Sequence, residues 1–185
     1  LRPSVFVGTI GAFNLVGMQL DVYPISIFGV SFGAERGFRL SDNKSFDCAV
    51  YECRGSLGRA FVDTRLTLAF ESWVFLAGAK WEYVSPSDLI KPFADQFSVL
   101  AGMPGGDTLI ILDLALGRRI DSHWSAGFYA NHARMVDFGG VRNFITAYGA
   151  YKTTPWTFLI GSGAFASPFS GSGFTVVGTA SWSGG

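Results

Sequence analysis

The stretch Ala60-Phe-Val-Asp-Thr-Arg-Leu-Thr-Leu-Ala-Phe-Glu-Ser-Trp-Val-Phe-Leu-Ala-Gly-Ala-Lys-Trp-Glu-Tyr83 decides how this chain folds. It is apolar enough for a membrane, yet charges recur through it at intervals of two. Up to Glu71-Ser72 the even positions Ala60, Val62, Leu66, Leu68 and Phe70 are apolar, and Thr64 alone breaks the run. The odd positions Arg59, Asp63, Arg65, Thr67 and Glu71 are polar, with Phe61 and Ala69 among them. Beyond Ser72 the parity reverses: Trp73, Phe75, Ala77, Ala79, Trp81 and Tyr83 are apolar, while Lys80 and Glu82 fall between them. Strict alternation is the period of a strand, and a reversal of parity is what a tight hairpin produces, because directly opposed residues share a face. A hairpin centred on Glu71-Ser72 sets Asp63 opposite Lys80, Leu68 opposite Phe75 and Val62 opposite Trp81. Glu82 then lies diagonal to both Arg59 and Asp63.

The same period recurs along the chain. Val16, Met18, Leu20 and Val22 alternate with Gly17, Gln19, Asp21 and Tyr23; Phe28, Val30 and Phe32 alternate with Gly29, Ser31, Gly33 and Glu35. Trp124, Ala126, Phe128 and Ala130 alternate with Ser125, Gly127, Tyr129 and Asn131, and Phe174, Val176, Ala180 and Trp182 alternate with Thr175, Val177, Thr179 and Ser181. Asp88–Phe97 is the one stretch with room for a turn of helix, and Pro92 sits inside it. With a long loop around 40–57, a shorter one around 85–95 and turns elsewhere, the pattern predicts one all-β domain over 1–185. It holds about ten strands (range ~8–12), each near the ~9–11 residues that cross a bilayer when tilted.

Composition says which face meets what. Of 185 residues 49% are hydrophobic and only 15% charged, against roughly 25% charged in an average soluble domain. Mean hydropathy is +0.32, and no charge follows Lys152. So few charges do not wet the exterior of a soluble sandwich. Small residues (Gly17, Gly29, Ser31, Gly33, Gly78, Gly127) dominate the polar face, as a narrow interior requires. Trp73, Trp81, Tyr83, Trp124, Trp156 and Trp182 fall on the apolar face near strand ends, where an interfacial girdle sits. In lipid every backbone polar group must pair internally, which leaves helices or closed barrels. The expectation is a closed antiparallel transmembrane β-barrel.

In strand length, aromatic girdle, glycine-rich lumen face and hairpin spacing the whole chain resembles the bacterial outer-membrane β-barrel proteins. That resemblance implies the bacterial outer membrane as location and membrane lipid, lipopolysaccharide included, as surroundings, with envelope proteins as partners. Those proteins usually end on an aromatic residue; here Trp182 is followed by Ser-Gly-Gly.

The lumen face is expected to carry Asp21, Glu35, Arg59, Asp63, Arg65, Glu71, Lys80, Glu82, Asp113 and Arg119. Charges of both signs point to paired side chains filling the interior, since unpaired buried charge is costly, whereas a selective channel favours rings of one sign. The function expected is a structural or anchoring component of the envelope or of an envelope complex; a narrow channel for small solutes is the porin-like alternative. A third reading is enzymatic. His123-Trp-Ser-Ala-Gly127 resembles the His-x-Ser of the outer-membrane lipid A 3-O-deacylases, in which the His activates the Ser and an acid orients the His. No Glu follows Glu82 here, so Asp113 and Asp137 are the candidate acids beside His123 and Ser125.

Cys48 and Cys53 are expected to close a small disulfide loop of an oxidising compartment. Their C-x4-C spacing with no nearby His is a poor metal site, and no cofactor-binding pattern or metal cluster is present. Lysine plus arginine equal aspartate plus glutamate at 14 each, so no net field attracts nucleic acid. Asn43-Lys-Ser45 reads as part of the long loop.

Overall fold

The computed structural model describes residues 1–10, 13–40 and 46–182, and every regular element in them is a strand. In chain order these are β1 (Arg2–Ile10), β2 (Phe13–Ile25), β3 (Phe28–Arg39), β4 (Gly55–Phe70), β5 (Trp73–Pro86), β6 (Phe93–Asp95), β7 (Leu100–Gly102), β8 (Asp107–Arg119), β9 (Trp124–Met135), β10 (Val141–Thr153), β11 (Trp156–Ser167) and β12 (Gly171–Trp182). Ten of them form one antiparallel meander in the order β1-β2-β3-β4-β5-β8-β9-β10-β11-β12, and β6 pairs with β7 in a separate hairpin. The register between β4 and β5 is the one the parity reversal predicts: Phe70 faces Trp73 across Glu71-Ser72, Asp63 faces Lys80 and Val62 faces Trp81. Glu71 takes the left-handed conformation (φ 51°) that lets two residues close the turn.

The two ends of the sheet differ. Connections 26–27, 71–72, 120–123 and 154–155 are two to four residues long and share one end. At the opposite end lie 40–54, 87–106, 136–140 and 168–170. The Asn43-Lys-Ser45 stretch and the Ser-Gly-Gly after Trp182 fall outside the described residues.

Segment 87–106 is more than a loop. It carries the β6–β7 hairpin, whose Phe93, Ala94, Asp95, Leu100 and Ala101 are fully buried. No turn of helix forms over Asp88–Phe97. The carbonyl of Pro92 instead accepts the Glu52 N–H at 2.8 Å, and Glu52 forms a parallel bridge with Phe93. Three-residue strands buried on both sides leave no alternation in the sequence to detect.

The hairpin also reports the curvature of the sheet. Arg39, at the end of β3, donates to the Ala94 carbonyl at 3.0 Å, while Ser167, at the end of β11, donates to the Val99 carbonyl at 2.8 Å. In a flat sheet β3 and β11, six strand spacings apart, stand about 29 Å from each other. Both reach one small hairpin because the sheet is rolled around it. Strands β1 and β12 are each paired on one side only. The inner face is therefore the polar one, and β6–β7 plugs its loop-side half. Along β4 the inner residues Leu57, Arg59, Phe61 and Asp63 are buried, whereas Arg65, Thr67 and Ala69, nearer the short turns, are exposed.

Inner-face glycines are set by close approach. A Cβ at Gly17 would meet the Phe6 ring at 2.6 Å, so the aromatic ring itself occupies the space over the glycine. At Gly163 it would press on the backbone of Ile145 and Thr146, with Thr146 Cα at 2.5 Å, where nothing can rotate away. Gly149, on the outer face, has nothing within 4 Å. Gly163→Ala is expected to destabilise by about 1–3 kcal/mol and Gly149→Ala to be neutral or slightly stabilising, compared by urea unfolding monitored through tryptophan fluorescence.

Candidate functional site: the plugged inner face

The centre of the inner face is Arg59. Projecting from β4, it is 4% exposed and binds Glu82 Oε1 of β5 at 2.8 Å and Asp95 Oδ1 of the plug at 2.5 Å, with Glu35 Oε1 of β3 at 3.5 Å. Glu82 and Asp95 are fully buried. Asp95 also accepts from Ser98 Oγ at 2.6 Å and the Phe97 N–H at 3.1 Å, and the Phe97 ring lies 5.5 Å from the Arg59 guanidinium. Lys80 Nζ reaches Glu82 Oε2 at 2.5 Å and lies over the Phe61 ring. Buried charges persist only when paired and hydrogen-bonded, and here wall and plug supply opposite halves of the pair.

Pairing follows a different pattern from the register. Asp63 stands opposite Lys80, but its carboxylate binds Arg65 two residues along the same strand at 2.8 Å, while Lys80 turns to Glu82 on its own strand. Residues i and i+2 share a face, and Glu82, already fixed by Arg59, is the better-placed anion.

A second clamp holds the plug at the end of β3. Arg39, 2% exposed, binds Glu52 Oε1 at 2.6 Å and donates to the carbonyls of Glu52, Ala94 and Arg54. Glu52 in turn accepts from Ser87 Oγ and the Asp88 N–H. Beside it Cys48 and Cys53 form a disulfide with Cα atoms 5.5 Å apart. Cys53 packs with Phe46, Ala94 and Ala101 against the plug. Across the mouth the buried Asp107 accepts from the N–H groups of Thr108, Asp137, Phe138 and Met103, tying β8 to the β9–β10 turn.

Beneath the plug, toward the short turns, lies a cavity of about 530 Å³ lined by Asp63, Arg65, Lys80, Asp113, Tyr129 and Arg142 among others, with Phe97 contributing from the plug. Asp113 accepts from the Tyr129 hydroxyl and from Asn131 Nδ2 at 2.7 Å, and the Asn131 amide oxygen accepts from Arg142. Asp21 stands apart, accepting from Gln19 and Ser31 Oγ at 2.6 Å. Glu71 is exposed in its turn and Arg119 is exposed at the end of β8, and neither has an ion-pair partner among the described residues.

Of the candidate catalytic residues, His123 lies in the β8–β9 turn and Ser125 is the second residue of β9. Both line a depression of about 280 Å³ at the short-turn end. The His123 Nδ1 is bonded to Ser122 Oγ at 2.9 Å rather than to Ser125. Asp113 faces Asn131, eight residues along from His123 and so about 26 Å away. Asp137 is at the opposite end of β9. The acid of this turn is Asp121, whose carboxyl is held below the usual carboxylate range by the backbone N–H groups of Trp124 and His123, which it accepts at 2.8 and 2.7 Å. Its donors are thus main-chain groups, an Asx-type turn rather than a triad.

On the outer face Trp73, Trp124, Trp156 and Trp182 stand at the short-turn end and Trp81 and Tyr83 toward the loops, all exposed. Among the described residues no group of three or more His, Cys, Asp or Glu residues could hold a metal ion. No protein-family model, curated protein or solved structure matches the chain.

The inner-face residues that sequence reasoning did not single out are Asp95, Arg142, Arg39, Glu52 and Asp107. Arg142 shares the inner parity of β10 with Tyr148, and Asn131 and Tyr129 share the face of Asp113, so that cluster carries a signal in strand parity. Asp95 carries none, because its partner is set by how a loop folds back. Arg59→Ala removes the cation of Asp95 and leaves Glu82 with Lys80 alone, and is expected to cost about 3–5 kcal/mol. Arg65→Ala, whose side chain is 65% exposed, is expected to cost at most about 1 kcal/mol. The two midpoints in urea, measured side by side, check the ranking.

Proposed function

We propose that β1 and β12 pair to close the rolled sheet as a transmembrane barrel of the bacterial outer membrane. Its plugged interior makes it a structural or anchoring component of the envelope, presenting the Cys48–Cys53 loop to partner proteins. The observation that carries this reading is the inversion of the two faces. Glu82, Asp95 and Asp107 are fully buried inside, while Leu112, Leu114, Leu116, Phe128, Ile145 and Ile160 are 43–67% exposed outside. An exposed apolar surface of this extent is stable in lipid and not in water.

Further supports agree. Among outward positions of the ten strands in the described residues, the formal charges are Arg36, Arg118 and Arg134, each within three residues of a strand end. Trp73 and Tyr83 lie ten residues apart on β5; at about 3.3 Å per residue and a tilt near 40° they bracket roughly 25 Å, the height of a lipid-facing band. Connections of at most four residues at one end, against the long segments 40–54 and 87–106 at the other, match the asymmetry of outer-membrane barrels. Strand β1 leaves the short-turn end and β12 returns to it, so their pairing is antiparallel, as an even number of strands requires.

Closure and insertion have direct tests. The purified chain is expected to show heat-modifiable gel mobility in detergent, and a cysteine at Val5 is expected to cross-link within one molecule to a cysteine at Val176, Gly178 or Ala180. A chain that is soluble without detergent and shows no mobility shift would move the fold to a soluble sheet. Leu114→Arg, at mid-strand on the outer face, is expected to destabilise the inserted barrel by about 2–4 kcal/mol. Planar-bilayer recordings are expected to show no steady conductance, whereas a sustained current would replace the plugged-lumen reading with the channel. Lipid A acylation is expected to be the same with Ser125→Ala, and a change would establish the hydrolase instead.

A further inference from the structure

We infer that the inner cavity beneath the plug is a binding site for a small aromatic carboxylate. The inference deepens the plugged-lumen reading, since it gives the unfilled half of the interior an occupant.

Most of the charges lining the cavity already have partners. Asp63 receives both Nε and Nη2 of Arg65, at 3.0 and 2.8 Å. Lys80 is neutralised by Glu82 at 2.5 Å. Asp113 accepts from Tyr129 and Asn131. Arg142 is different. Its Nη2 donates to a neutral amide oxygen, that of Asn131, and its buried Nε has no hydrogen-bond partner in the protein. Among the described residues no carboxylate lies within ion-pair distance of it. A half-buried guanidinium whose buried Nε lacks a partner favours an anion, and a planar carboxylate suits its fork geometry.

The walls specify the rest of the ligand. Phe97, Phe144, Phe165 and Ile111 line the same cavity, whose volume of about 530 Å³ lies within the ~300–1,000 Å³ typical of small-molecule sites. Apolar and aromatic walls, beside the one lining cation that has no carboxylate partner among the described residues, suit a ring bearing a carboxylate. They do not suit inorganic phosphate, which has no apolar body. Asn131 is the positioning residue: with Asp113 holding its amide nitrogen, its oxygen is turned to Arg142 and fixes the guanidinium in place.

The test is titration of the full chain in detergent micelles with 4-fluorobenzoate, followed by ¹⁹F NMR, with 4-fluorobenzyl alcohol and 4-fluorobenzylammonium as controls. Saturable binding of the carboxylate alone is expected. Arg142→Gln is expected to weaken it at least about tenfold, the value of a charge-assisted bond, and Arg142→Lys to recover part of the loss. Phe165→Trp, which fills the cavity and leaves Arg142 in place, is expected to abolish binding and keeps the test decisive if Arg142→Gln does not fold. No saturable binding, equal binding of the alcohol, or unchanged affinity in Arg142→Gln or Phe165→Trp would overturn the proposal. These outcomes do not touch the outer-membrane reading, which stands or falls on gel mobility and cross-linking.

Discussion

The ion pairs of Arg59 are the constraint on which the rest of the molecule depends. One guanidinium, buried on β4, is shared between Glu82 of the wall and Asp95 of the plug. Lys80 also reaches Glu82, but among the described residues Arg59 is the cation that pairs with both carboxylates, so it joins the hairpin to the wall and holds the sheet rolled around it. The apolar contacts follow from that placement. Phe93 and Leu100 of the plug pack with Leu57, Val84, Leu109 and Met135 of the wall. Buried ion pairs of this kind contribute modest net stability because desolvation offsets attraction. Their effect is on specificity: wrong placements of the plug leave charges stranded.

Two clamps then divide the work at the loop side. Arg39 fixes the disulfide loop and β6 to the end of β3, and Asp107 gathers the N–H groups of neighbouring turns. Between the plug and the short turns the interior stays open enough to leave a polar cavity. The molecule thus has a dense half and an open half along one axis, with its apolar residues turned outward around both. That inversion, rather than any single residue, is the physical reason for the membrane reading.

The fold was legible in the sequence to the extent that strand parity reports it. The reversal at Glu71-Ser72 gave the register of β4 on β5 because opposed residues share a face. Ion partners were not legible from that register. Asp63 faces Lys80 yet binds Arg65, because long side chains choose among neighbours at similar distance and the choice depends on which anion is already held. The His123-Trp-Ser125 spacing was equally uninformative about geometry: the strand begins one residue after His123, so the imidazole belongs to a turn and bonds Ser122.

By itself the sequence determined the period-two alternation, the hairpin at residues 71–72, the all-β class, the small polar inner face, the aromatic outer one and the Cys48–Cys53 pair. These are local properties, written in residue spacing and side-chain type. Only the tertiary structure decided that segment 87–106 folds back as a plug, that Asp95 completes the Arg59 cluster, and that the buried Nε of Arg142 is left without a partner beside a cavity. The plug and its Arg59 contact join residues 36 positions apart through a three-residue strand, and so short a strand has no periodicity for a sequence to display.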